Sequence, residues 1–194
     1  MKNQKIKTTF ILLALFAGVF QGCKKGENDP FISLHTRDAR LAGDWDLSGK
    51  NSETTTTSVN GGNTSVTKST STYSDGIETT VSVGGTSSTK YNLKLKIEKN
   101  GQFTYTLENF NSKGEPSSTN EYKGYWTWGS TAKRKSSIII DVDGPMKDIL
   151  GGVWNIDQLK NKEIIFKKTD YSKNSSTNFS TEINTEATMT FTGK

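Results

Sequence analysis

The chain has very few of the residue types on which catalytic and metal sites most often depend. Of its 194 residues, one is cysteine, one is histidine and three are proline. A single cysteine excludes an internal disulfide framework. His35 is the only histidine, so the chain has too few histidines for a multi-histidine metal site, and a Ser-His-Asp triad would have to use His35 itself. We expect His35 to be exposed. The sequence therefore predicts a protein that is not an enzyme and that holds no cofactor.

Carboxylates are the remaining source of chemistry, and they form no convincing motif. Residues Asp141-Val142-Asp143-Gly144 resemble a fragment of a calcium loop, but the third acidic ligand and the closing glutamate are absent. We therefore expect a strand that ends in an acidic turn, and no metal site. A carboxylate pair for glycoside hydrolysis needs only two acids at the right separation, and nothing in the sequence selects such a pair.

The N-terminus has the three-part layout of a secretory signal. Three lysines precede an apolar stretch over residues 10–20, and a glycine follows at position 22. The apolar stretch is too short to cross a bilayer, which takes about 20 residues. Residues 19–23, Val-Phe-Gln-Gly-Cys, resemble the lipobox of bacterial lipoproteins, in which the cysteine is lipidated and becomes the new N-terminus. We expect lipidation of Cys23; the alternative is an ordinary cleaved signal that leaves a free thiol.

The predicted organisation is a signal peptide at 1–22, a lipidated N-terminus and flexible tether at 23–35, and one domain at 36–194. Removal of the signal lowers the net charge from +5 to +2, because the signal contains three lysines and no acid. The sequence Lys133-Arg134-Lys135 is too short for a nucleic-acid footprint and is typical of a solvated turn. The predicted partner is a membrane, contacted through the lipid anchor, and the predicted location is the cell envelope at the outer membrane.

From Tyr91 onward, apolar and polar residues alternate. Residues 91–97 and 103–107 each place apolar side chains on one face and polar ones on the other, and Asn100-Gly101 between them is a strong hairpin signal. The pattern continues through strands predicted at 122–128, 136–142, 153–159 and 163–166. The longest alternation, with apolar residues at odd positions, covers 179–191. A short helical turn with Thr36 as its N-cap precedes the first strand.

Residues 51–90 form a Ser/Thr-rich region with few large apolar side chains. Thr and Val favour strands, and the segments 60–63 and 75–76 are hairpin-grade turns. We predict thinly buried strands at 53–59, 64–73 and 77–83. The alternative is a disordered linker, because few apolar groups are available to offset the ordering entropy. In total, an all-β fold is predicted: an antiparallel up-and-down meander closed into a barrel of about eight to ten strands.

Gly43-Asp44-Trp45, placed after the helical turn and at the start of the first strand, resembles the Gly-x-Trp motif of lipocalins and of lipocalin-like lipoproteins of the Bacteroidota. The resemblance implies that Trp45 closes the base of the barrel and that the barrel mouth holds a small apolar ligand. Gly43 would let the chain enter the strand tightly. Thr169-Asp170-Tyr171 also matches the second lipocalin motif, but it lies too close to the C-terminus, and no arginine follows Arg134 to supply the third.

Tyr122, Trp126 and Trp128 share one strand face and are the candidate ligand-binding residues. Flat aromatic rings line apolar pockets or stack on sugars, whereas the alternative is that they fill the barrel interior. The leading functional hypothesis is a non-enzymatic, lipid-anchored lipocalin-like domain that binds a small apolar or amphipathic molecule or serves as a surface accessory module. The second hypothesis is a structural or carbohydrate-contacting envelope protein whose barrel is fully packed and whose loops and Thr-rich hairpins perform the recognition.

Overall fold

A computed structural model describes residues 35–130 and 135–194. The predicted signal peptide, the lipidated Cys23 and the tether up to residue 34 lie outside the described residues, as do Lys133 and Arg134. In the part of the chain that is described, no helix is both long enough and apolar enough to span a membrane.

The described chain forms ten strands and two short helices. In chain order the elements are α1 (Arg37–Leu41), β1 (Gly43–Asn60), β2 (Asn63–Ser74), β3 (Ile77–Ser82), β4 (Gly85–Ile97), β5 (Gln102–Phe110), β6 (Pro116–Trp128), β7 (Ser137–Val142), α2 (Lys147–Leu150), β8 (Gly152–Leu159), β9 (Glu163–Ser176) and β10 (Phe179–Gly193). Consecutive strands pair antiparallel, and β10 returns to β1 to close the barrel. The predicted all-β antiparallel meander is confirmed.

Strand β1 changes its partner along its length, and this change divides the barrel into two levels. Its first residues, Gly43 to Asp46, pair with β4, whereas Lys50 to Asn60 pair with β2. The first level is formed by β1 and β4–β10, and we call it the lower barrel. Above it, the β2–β3 hairpin is inserted between β1 and β4.

The lower barrel is filled by its own side chains. Its largest fully buried residues are Trp154, Tyr105, Phe103, Phe166 and Phe191. At the base, where β1 begins, Leu41 of α1 is completely buried beside the core. At the opposite end, the segment that connects β7 to β8 contributes the buried side chains of Met146 and Leu150. Side chains therefore fill both the middle and the two ends of the lower barrel.

The local signals for the helices and turns differ in strength. Thr36 caps α1 as predicted, and its Oγ1 accepts a hydrogen bond of 3.2 Å from Ala39 N. Helix α2 was not predicted, because four residues are too few to show a helical period. Gly144, just before it, has a φ of 90°, and a Cβ there would lie 2.5 Å from the Tyr105 hydroxyl oxygen. Only glycine fits this turn.

The Ser/Thr-rich region is ordered as strands, which confirms the predicted strands at 53–59, 64–73 and 77–83. It consists of the upper part of β1, all of β2 and β3, and the first half of β4. Strand β9 is longer than the prediction, because it continues past Phe166 to Ser176 in an unbroken antiparallel register with β10. Backbone pairing thus orders segments whose side chains bury little apolar surface.

Candidate functional site

Trp45 lies at the base of the barrel, near the start of β1. Its side chain is 2% exposed, and its indole N–H donates a 3.0 Å hydrogen bond to the Leu41 carbonyl oxygen. Gly43 does not have a positive φ, and a Cβ there would lie 3.5 Å from Trp45 Nε1, which is an ordinary contact. The structure therefore provides no steric reason for a glycine at position 43, and the predicted tight strand entry does not explain it.

The predicted ligand-binding tryptophans lie near the same base and hydrogen-bond to the protein. Trp126 is buried and donates a 2.8 Å hydrogen bond from Nε1 to the Glu98 carbonyl oxygen. Trp128 is half-buried and donates a 2.8 Å hydrogen bond to Oδ1 of Asp38 in α1. The two indoles meet edge to face with 5.4 Å between ring centroids. These contacts fix both side chains within the closure of the base.

Tyr122, the third predicted ligand contact, lies farther up β6 than the tryptophans. Its ring stacks on Tyr105 with 4.8 Å between the centroids, and the hydroxyl of Tyr105 donates a 2.8 Å hydrogen bond to the Asp143 carbonyl oxygen. The structure brings Trp126 and Trp128 together but places Tyr122 against a different partner. A ligand-binding role for these three residues stays a prediction.

Lys135 is not the solvated turn residue that the sequence suggested. Its ammonium group pairs with the Asp38 carboxylate and lies 5.3 Å from the centroid of the Trp128 ring. Burial acts to raise the pKa of Asp38, but hydrogen bonds from Lys135 and Trp128 outweigh burial and hold this pKa below its ordinary value. Lys135 therefore links the β6–β7 connection to α1 at the base.

The upper level of the fold is a sheet that extends beyond the lower barrel. Pairing of β4 with β5 ends at Tyr91, and pairing of β8 with β9 ends at Lys167, so six strands continue without β5–β8. We call this part the sheet extension; it consists of 168–176 of β9, 179–187 of β10, 50–60 of β1, β2, β3 and 85–90 of β4. Because α1 and the start of β1 lie at the base, the extension lies at the end of the barrel opposite α1.

Hydroxyl groups dominate the inner face of the extension, which continues the inner surface of the barrel. The strand register identifies the inner face. Lys50 pairs with Met189 and Tyr73, which are buried in the core, so the side chain of Lys50 lies on the inner face as theirs do. Every second residue along each strand from these positions also lies on the inner face. Its side chains include Ser52, Thr54, Thr56, Ser58, Thr67, Ser69, Ser71, Thr80, Thr181 and Thr185. Two apolar side chains of β10, Phe179 and Ile183, lie on the same face and are partly exposed. The Oγ1 atoms of Thr54 and Thr185 lie 3.1 Å apart across two strands.

A hollow of about 240 Å³ opens on the inner face where the β3–β4 turn approaches β2. Inner-face hydroxyl residues line it, together with Lys68 and the turn residues 83–84; the hydroxyl residues are Thr54, Thr56, Thr67, Ser69 and Ser82. Val83, at the rim, is 80% exposed. Most of the surface of the hollow is carbon, and the hydroxyl groups of its lining residues add hydrogen-bond donors and acceptors.

A buried polar cluster lies where the extension meets the lower barrel. The Lys50 ammonium group is 2.6 Å from Glu78 Oε1, and the two side chains are only 7% and 17% exposed. Glu78 also accepts a 2.6 Å hydrogen bond from the Tyr91 hydroxyl and a shorter one from the Ser71 hydroxyl. The Tyr73 hydroxyl donates to the Tyr91 carbonyl oxygen at 3.0 Å. The cluster joins β1, β2, β3 and β4.

The cluster changes the ionisation of three of its members. Burial acts to raise the pKa of Glu78, but hydrogen bonds from Lys50, Ser71 and Tyr91 outweigh it, so this pKa lies below its ordinary value. Burial raises the pKa of Tyr91, and the neighbouring Glu78 carboxylate raises it further. Burial also raises the pKa of Tyr73. At neutral pH Glu78 is therefore an anion, and Tyr73 and Tyr91 are neutral phenols.

A second ion pair on the inner face joins Lys168 to Asp170, with 2.8 Å between Nζ and Oδ2. Lys168 also donates a 3.0 Å hydrogen bond to the Gly151 carbonyl oxygen. Together with the Lys50–Glu78 pair, it leaves the charges on this part of the inner face balanced. No sequence motif marks these four residues, because their pairing depends on strand register.

His35 and the acidic turn after β7 lie at different places in the fold. His35 is exposed at the base. Strand β7 ends at Val142, and Asp143 forms a 3.2 Å ion pair with Lys147. No group of three or more His, Cys, Asp or Glu residues in the described ranges is placed to hold a metal ion.

Comparison with known proteins adds no relative. No family model matches the chain, and neither a curated protein nor a solved structure shows significant similarity to it. The function is therefore inferred from the geometry of the barrel and its extension.

Proposed function

We propose that this protein is a lipid-anchored cell-envelope protein with a lipocalin-like barrel, and that its sheet extension contacts carbohydrate. The observation that carries the proposal is the contrast between the two levels of the barrel. Side chains fill the lower barrel, whereas the inner face of the extension presents hydroxyl groups around a hollow of about 240 Å³. This contrast favours the second functional hypothesis over an apolar ligand held inside the barrel.

The chemistry of the extension suits a neutral, polyhydroxylated ligand. Ser and Thr hydroxyls both donate and accept hydrogen bonds, as sugar hydroxyls do. The inner-face charges of Lys50, Glu78, Lys168 and Asp170 are already paired, so an ionic ligand gains little attraction from them. Each hydrogen bond to a hydroxyl group of the hollow would contribute about 0.5–1.5 kcal/mol. The carbon surface of the hollow would contact the C–H groups of a sugar ring.

The proposed site lies at the end of the barrel opposite α1, the first helix that follows the predicted tether. The tether of residues 23–35 leads into α1 at the base, and β1 then runs from Gly43 at the base to Asn60 at the far end of the extension. An acylated Cys23 would hold the base towards the membrane, with the extension directed away from it. Stable anchoring takes two or more acyl chains, which a diacylglyceryl cysteine supplies.

Four consecutive threonines on β1 allow a matched test of the binding site. Thr54 and Thr56 lie on the inner face and Thr55 and Thr57 on the outer face, and the side chains of all four are half-buried. We expect immobilised neutral polysaccharides, with dextran as the first probe, to retain the protein. Thr56→Val should weaken this binding about 2- to 10-fold through the loss of one hydrogen bond. Thr55→Val should have no effect. Failure to bind any polysaccharide in a panel, or equal effects of the two variants, would reject the carbohydrate proposal.

The anchor is tested separately by mass spectrometry of the protein purified from membranes. We expect the mature N-terminus to be an acylated Cys23. An unmodified thiol at this position, or cleavage at another site, would contradict the lipoprotein assignment.

A further inference from the structure

The upper part of β9 is a free strand edge whose geometry fits a second copy of this chain. Strand β9 pairs with β8 only as far as Lys167, while its pairing with β10 continues to Ser176. Residues 169–176 therefore have a described strand neighbour on one side only. A strand edge of this kind presents unpaired N–H and C=O groups to a further strand.

Two backbone hydrogen bonds identify which residues face outward from this edge. The Glu163 carbonyl accepts from Lys160 N on the β8 side, whereas the Lys162 carbonyl accepts from Gly193 N on the β10 side. The side towards which the backbone N–H and C=O groups point alternates from one residue to the next along an antiparallel strand, and the register of β9 with β10 contains no bulge. The N–H and C=O groups of Thr169, Tyr171, Lys173 and Ser175 therefore point away from β10.

Features that usually protect strand edges are weak here. The segment contains no proline, glycine or bulge. Its charges are neutralised within the chain, because Lys173 pairs with Glu182 and Lys168 with Asp170. Tyr171 is 63% exposed on the outer face. The other free edge of the extension, on β4, is shorter, and Phe110 lies against its Lys90 with 4.8 Å from Nζ to the ring centroid.

We infer that two copies of the protein pair antiparallel through this β9 edge, with Ser172 on the two-fold axis. In this register Thr169 lies opposite Ser175, and Tyr171 lies opposite Lys173 of the second copy. All the outward-pointing groups of the four residues are then hydrogen-bonded. Each Tyr171 ring lies beside a lysine, which favours a cation–π contact. Two other registers are less favourable. A register centred on Lys173 would place two lysines opposite each other. A register centred on Tyr171 would place Ser175 opposite Lys167, which already pairs with β8.

Cysteine substitution tests this register directly. Ser172 is exposed, and its symmetry mate would be a non-hydrogen-bonded partner, with about 4.5 Å between Cα atoms. This separation lies within the range of disulfide bonds, about 4.4–6.8 Å. In the mature chain carrying Cys23→Ser, we expect Ser172→Cys to form a disulfide-linked dimer under mild oxidation. Asn174→Cys is the matched control, because it lies on the same face and edge but opposite Asp170, and we expect it to cross-link at least tenfold more slowly.

A proline variant tests the contribution of the edge hydrogen bonds. Tyr171→Pro removes an N–H that points away from β10, so the β9–β10 ladder remains intact. Light scattering should show a concentration-dependent dimer for the Cys23→Ser chain and a monomer for the proline variant, and circular dichroism should show that both are folded. A monomer at all concentrations for the parent chain, or equal cross-linking of Ser172→Cys and Asn174→Cys, would overturn the inference. These results do not depend on whether the extension binds carbohydrate.

Discussion

The buried Lys50–Glu78 pair offers the sharpest test of how the extension is attached to the lower barrel. Both side chains are nearly buried, and the pair joins β1 to β3 across the insertion point. Glu78→Ala would leave the Lys50 ammonium group buried without its anion. Removal of one partner of a buried pair costs about 3–5 kcal/mol. For a domain of this size we therefore expect the melting temperature to fall by about 6–20 °C, at 2–4 °C per kcal/mol.

The assay is denaturant unfolding followed by tryptophan fluorescence, with two comparison variants. Glu53 forms an exposed pair with Lys68 at 3.1 Å, so Glu53→Ala should cost less than about 1 kcal/mol. The double variant Lys50→Met/Glu78→Leu removes both charges and should recover most of the loss, because hydrophobic replacement of a buried pair is often neutral or stabilising. Equal losses for Glu78→Ala and Glu53→Ala, or no recovery in the double variant, would refute the argument that the pair is buried and structural.

Three further predictions follow from the base and from the ionisable groups. Trp45→Ala should cost about 3–5 kcal/mol in a denaturant titration, as a large-to-small change in a core, and a loss below about 1 kcal/mol would show that this side chain does not close the base. Trp128→Ala should lower the free energy of unfolding by about 2–3 kcal/mol, because the side chain is half-buried. The wild-type protein should not bind an apolar fluorescent probe. Micromolar probe binding that is lost in a stable Trp128→Ala variant would favour an apolar ligand site. Asp38 and Glu78 have depressed pKa values in the folded protein, so the stability that their carboxylates contribute is present above about pH 4 and is lost as the pH falls through the folded-state pKa values. Acid unfolding followed by circular dichroism should therefore show a smaller pH dependence of stability in Glu78→Gln than in wild type.

The lower barrel was predictable because its strands have one wet and one dry face. Leu93, Leu95 and Ile97 are buried, while Lys94 and Lys96 point outward, as the alternation predicts. The same holds for β10, whose inward residues Met189 and Phe191 are buried. Burial of one face fixes the register of such strands.

The extension was predicted only in part, because Ser and Thr occur on both of its faces and give no signal of period two. The position of Lys50 depends on a further feature. A register shift between Leu47 and Gly49 places Leu47 and Lys50 on the same inner face, although they are three residues apart. Simple alternation from Leu47 would have placed Lys50 outside. Its partner Glu78 lies 28 residues away in sequence, and only the three-dimensional pairing brings the two together.

We propose that the protein recognises a hydrophilic ligand on the extension and not inside the lower barrel. Methyl resonances in an NMR titration with a neutral oligosaccharide test it most directly. We predict that the methyl groups of Thr54, Thr56 and Thr67, which line the hollow, shift with added sugar, while the indole resonances of Trp126 and Trp128 stay unchanged. Shifts confined to the two indoles, or no shift at the three threonines, would contradict the account.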